Sequence, residues 1–193
     1  MKVQNIVLSR IKKIASECKK ELIHFIFPAY CMHCQEIEIE SSQLFCISCK
    51  EWIQRFPLDE CLPFKAVAVE REGIALSLLR ASKESSYPEV ISTMAALMAF
   101  QIIDLKWPLP EIIIASPKEP VNILLALELS RFFKAPVKNC LKSELEWKRP
   151  EICSDQIVFL VDLILPFSSS WEILEEAAPL QIFQIGFCKA EAF

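Results

Sequence analysis

Four cysteines stand in the pattern C-x2-C-x11-C-x2-C, as Cys31-Met32-His33-Cys34 followed by Cys46-Ile47-Ser48-Cys49. A CxxC turn holds two soft thiolate donors side by side, and two such turns brought together make a tetrahedral four-sulfur cage. Zinc is the ion that prefers this cage, and with all four positions taken by protein it keeps none open for catalysis. The centre is therefore expected to be structural, one zinc ion stapling a short segment with little apolar core of its own. An iron–sulfur cluster uses the same donors, and the motif also reads as four ordinary buried cysteines or as one redox-active CxxC pair. His33 lies inside the first turn, where its imidazole is expected to face solvent rather than replace a thiolate. The other cysteines, Cys18, Cys61, Cys140, Cys153 and Cys188, are scattered and read as core filler.

The elements that position these residues follow from hydrophobic periodicity. Residues 3–26 place Val7, Ile11, Ile14, Cys18 and Leu22 at helical spacing, with Lys12, Lys13, Lys19 and Lys20 among the polar positions. Such a helix either docks on its own protein or lays a basic face on an anionic membrane or partner. Phe27-Pro28 ends it, the cysteine segment follows, and residues 51–56 read as a short helix leading into a proline-containing linker over 57–63. Three parts are expected: an amphipathic helix (1–27), a zinc knuckle with its linker (28–63) and a main domain (64–193). In that domain the patterns predict strands at 65–70, 111–116, 136–138, 157–163 and 180–187. They predict helices at 74–83, 90–105, 121–133 and 169–177. Strands alternating with helices in this way imply an α/β fold with a mainly parallel sheet.

Composition narrows the class. The chain has 193 residues, 53% of them hydrophobic, enough for a buried core. A net charge of -4 argues against a surface dominated by phosphate contacts. Nine cysteines are an odd number for a disulfide scaffold, and no secretory leader precedes the motif, so a reducing cytoplasm is expected. Apolar stretches such as 90–103 are interrupted by Ser92, Thr93 and Gln101, so no transmembrane segment is expected. There are only two glycines, Gly73 and Gly186, where ordinary usage would give about 13. Loops that cradle phosphate usually rely on glycine for close backbone approach.

Several landmarks together resemble the ComF family. They are Phe27-Pro28 before the double CxxC, Glu72-Gly73 leading a helix, 112–117, Asn122 with its leucine-rich helix, and Val158-Phe159-Leu160-Val161-Asp162. The resemblance implies a zinc finger followed by a phosphoribosyltransferase-like, Rossmann-like domain: a mainly parallel sheet with helices on both faces. It also implies a link to natural competence, with single-stranded DNA or proteins of the competence machinery as partners. In the family an acidic pair after the strand holds the ribose hydroxyls of phosphoribosyl pyrophosphate, and a threonine- and glycine-rich loop holds its 5-phosphate at a helix N-terminus.

Asp162 matches the first acid of that motif, while Leu163 replaces the second. Pro166 and Phe167 replace the two threonines, Ser168 stands in the glycine position, and Ser170 matches the last hydroxyl. Glu119-Pro120-Val121 precedes Asn122 where the family has arginine and glycine. Ser116-Pro117-Lys118 lies where a pyrophosphate loop belongs. The degenerate substrate loop thus comprises Asp162, Ser168, Ser169 and Ser170. Two readings of its residues concern structure alone: Asp162 as a carboxylate capping nearby amides, and Ser169 with Glu172 as a capping box. No catalytic residue is assigned, since His24 and His33 both lie far from this motif in sequence. The expectation is a non-catalytic module in DNA uptake, binding phosphoribosyl pyrophosphate poorly or not at all, with magnesium entering only alongside that ligand. The alternatives are a working phosphoribosyltransferase and a zinc-stapled protein-interaction scaffold.

Overall fold

The computed structural model describes residues 29–36, 38–40, 43–84, 88–117, 119–139, 141–142, 147–148, 156–165 and 181–189. The helices expected at 3–26 and 169–177 lie outside the described residues, as do Lys118, Pro166, Phe167, Ser168, Ser169 and Ser170. The chain forms two compact units, Met1–Glu51 and Trp52–Phe193.

In the first unit β1 (Ala29–Tyr30) and β2 (Glu38–Ile39) pair as an antiparallel hairpin, and α1 (Ile47–Glu51) is little more than one turn. Apart from cysteines, only Ile39 and Phe45 are buried hydrophobic side chains among its described residues. The helix expected over 51–56 is not formed, because α1 ends at Glu51 and the chain then runs extended. Its backbone groups are used elsewhere: the Gln54 carbonyl accepts from the Glu70 amide at 3.1 Å, and Arg55 bridges Val69.

The second unit contains β3 (Lys65–Val67), α2 (Gly73–Glu84), α3 (Pro88–Asp104), β4 (Ile112–Ala115), α4 (Val121–Phe133) and β5 (Val137–Asn139). A small antiparallel pair follows, β6 (Leu141–Lys142) with β7 (Trp147–Lys148), and then the long strands β8 (Ile157–Leu165) and β9 (Gln181–Lys189). Five strands form one sheet in the order β3-β9-β8-β4-β5, with every pair parallel. This is the α/β architecture that the alternating pattern predicts. β8 runs two residues past its expected end, because Ile164 and Leu165 still pair with Cys188 and Lys189.

The central strands are buried on both faces, as parallel sheets require. Ile112, Ile114, Val158 and Leu160 cluster on one face with Ile182 against them. The alternate positions build an aromatic cluster: Phe159 and Phe183 are 5.5 Å apart between ring centroids, with Trp107 at 5.8 and 4.9 Å from them. Trp107 follows α3, and Phe133, which ends α4, lies 6.1 Å from Phe159. Gln101 of α3, fully buried, holds the segment before β3 by donating to the Phe56 carbonyl and accepting from Arg55, which also pairs with Asp104.

With glycine so scarce, helix ends use lysine in the left-handed region. Lys106 has φ of 54°. Its amide donates to Ile103 and that of Trp107 to Ile102, the paired bonds of a Schellman motif. Lys134, at φ 58°, closes α4 with one bond to the Ser130 carbonyl. Among the described residues no helix is long and apolar enough to cross a membrane.

Candidate functional site

The four cysteines predicted to form a metal site are brought together. The first CxxC follows β1 at the head of the hairpin, where the Gln35 amide turns back to the Cys31 carbonyl at 2.9 Å and Gln35 takes a φ of 58°. The Met32 amide donates to the Leu44 carbonyl at 2.9 Å, drawing this turn onto the chain that leads to the second. There Cys46 immediately precedes α1, and its sulfur accepts from the Cys49 amide at 3.4 Å, as a side-chain cap would. All four Sγ atoms lie within 4.8 Å of one another. A tetrahedron with zinc–sulfur bonds of about 2.3 Å has edges of about 3.8 Å, so the cluster matches such an ion after small adjustments. Cys31, Cys46 and Cys49 are buried, Cys34 is partly exposed, and His33 is exposed. Four clustered thiols of this kind can bind a metal ion such as zinc.

Their protons are unequal. Burial pushes the Cys31 thiol up, but the backbone amides of Cys34, Cys46 and His33 and the Cys34 side chain outweigh it and bring the pKa down to about 6. Burial first, then the thiols of Cys46, Cys31 and Cys34 and the charge on Cys31, push Cys49 up to about 12. Cys31 therefore ionises early and helps to keep a proton on Cys49. A dication among the sulfurs reverses that balance by favouring thiolate at every position.

The second constellation lies at the carboxyl ends of the sheet strands. From β4 the chain passes through α4 to β5 on one side, whereas β8 leads to β9 on the other, so β4 and β8 flank a topological switch point. The ladder between them reaches the Ser116 amide, which donates to the Val161 carbonyl at 2.9 Å. The next rung of a parallel ladder would join the Leu163 amide to the Ser116 carbonyl. Asn122 of α4 stands in that rung instead: its Oδ1 accepts from Leu163 at 2.6 Å and its Nδ2 donates to Ser116 at 2.9 Å.

Asp162 sits inside β8 and is 1% exposed, and its Oδ2 accepts from Gln184 Nε2 of β9 at 2.8 Å. Leu163 is fully buried. Glu119 pairs with Lys83 at 3.3 Å across a partly exposed surface. Among the described residues, the Ser116 hydroxyl and Gln184 Oε1 are buried without a hydrogen-bond partner. Neither Gln184 nor the Asn122 bridge is foreseen as part of the site in the sequence. Their signal was available as polar residues in apolar runs, at 182–188 and 121–129. The partners were not, since they depend on pairing between distant segments.

No protein-family model and no curated protein matches the chain.

Proposed function

We propose that this chain is a ComF-like protein: a structural zinc knuckle joined to a phosphoribosyltransferase-fold domain that does not turn over phosphoribosyl pyrophosphate and that acts in DNA uptake. The carrying observation is the state of Asp162. A carboxylate that is to meet ribose hydroxyls must face solvent or ligand, whereas this one is buried and accepts a hydrogen bond from Gln184. Leu163 beside it offers no second acid, and Asn122 spans the crevice where α/β sheets usually take ligands. The zinc assignment rests on four clustered sulfurs with no open position.

One observation favours a working transferase instead. The sheet order puts β4 and β8 at a switch point, and the partnerless Ser116 hydroxyl lies there. Titration calorimetry with phosphoribosyl pyrophosphate, with and without magnesium, separates the two. No saturation at micromolar ligand is expected, and tight magnesium-dependent binding would favour the transferase. In a host that takes up DNA, deleting the gene should lower transformation without creating a nucleotide requirement.

A further inference from the structure

We propose that Cys34 is an oxidation site through which small peroxides open the four-cysteine centre and release its metal, an inference that rests on the zinc reading above. Cys31 is fully buried, Cys46 is 5% exposed and Cys49 is 8% exposed, whereas Cys34 is only partly buried and is the most exposed residue of the four. Cys46 is further blunted by the amide hydrogen bond that its sulfur accepts from Cys49. A sulfur oxidised at position 34 has its resolving partners at hand, since the other three donors all lie within 4.8 Å.

The chemistry balances with hydrogen peroxide as oxidant. The Cys34 thiolate attacks one peroxide oxygen, the O–O bond breaks, and hydroxide leaves as the sulfenic acid forms. A neighbouring thiolate then attacks the Cys34 sulfur and expels the second hydroxide. Two thiolates lose two electrons to one disulfide, and two protons turn the hydroxides into water. Two sulfurs no longer hold zinc well, and among the described residues of the unit only Ile39 and Phe45 are buried hydrophobic side chains beyond the cysteines, so metal loss should unfold the segment around them.

The test uses the full chain loaded with zinc. Peroxide should release the metal to a chromophoric chelator, and peptide mapping should find a disulfide joining Cys34 to Cys31, Cys46 or Cys49. Cys34→His keeps a zinc-compatible donor that peroxide does not convert to a disulfide, and should slow release by about tenfold or more. If that variant fails to hold zinc, the order of alkylation in zinc-loaded wild type decides. A first maleimide adduct at Cys34, among the four, supports the proposal, and one at Cys31, Cys46 or Cys49 overturns it. Zinc that stays bound under peroxide, or release without oxidation of Cys34, also overturns it. A chain that takes up no zinc at all overturns the metal reading as well.

Discussion

At the scale of single residues, the Asn122 amide acts as a peptide unit borrowed by the sheet. It supplies a donor and an acceptor where two buried backbone groups face each other across a rung. Asn122→Ala leaves both groups unpaired, and each buried orphan costs about 1–3 kcal/mol, so urea unfolding should show a loss of about 2–6 kcal/mol. A loss under about 1 kcal/mol would mean that Ser116 and Leu163 close the rung directly once the amide is gone. For the cysteines the sign of the pH effect follows from Cys31, whose pKa is brought down to about 6. Above that pH zinc displaces no proton from it, and below it must. The logarithm of zinc affinity should therefore fall more steeply with acidification below pH 6, by about one further decade per pH unit. Competition with a chromophoric chelator measures the slope, and a constant slope through that pH would contradict the assignment.

At the scale of elements, helix termini carry the imprint of a glycine-poor composition. Lys106 and Lys134 hold left-handed backbone that glycine adopts without a Cβ penalty. Lys106→Gly should raise stability by about 0.5–1 kcal/mol, after allowing for the greater freedom of glycine in the unfolded chain. An unchanged or lower urea midpoint would show that the lysine side chain contributes more than its backbone strain removes. These elements were largely legible in the sequence, because periodicity is local: the expected and observed bounds of α4 coincide at Val121–Phe133. The segment 51–56 misled for the opposite reason. Its pattern suits a helix, but the observed extended form depends on residues 69–70, and nothing in six residues reveals that partner. The cysteine cluster was legible because its spacing is itself the chemistry, whereas the Asp162–Gln184 pair required the register of β8 against β9.

At the scale of the whole molecule, the two units are held by different physics. The sheet unit has a continuous apolar interior, including Phe159, Phe187 and three consecutive isoleucines, Ile112, Ile113 and Ile114. Among the described residues the cysteine unit has no such interior, and a metal ion held by its four sulfurs would supply the folding energy instead. Chelation should therefore abolish amide-exchange protection over 29–51 while β4, β8 and β9 stay protected. Equal loss in both units would mean that the sheet depends on the metal-bound segment for its own fold, and loss in neither would remove the structural role of the metal.

The pairing of β3 with β9 also sets an order of events during synthesis. Lys65 lies opposite Gln184 and Val67 opposite Gly186, so the first strand of the sheet gains its hydrogen-bonded neighbour only when the last has emerged. The roughly 110 residues between them take on the order of 5–20 s to translate at ordinary elongation rates. Throughout that interval β3 presents an unsatisfied edge, while the cysteine motif, complete by Cys49, already has every ligand it needs. A metal ion that binds these cysteines can thus be taken up well before the sheet can close, and the hazard of mispairing falls on β3 during the wait.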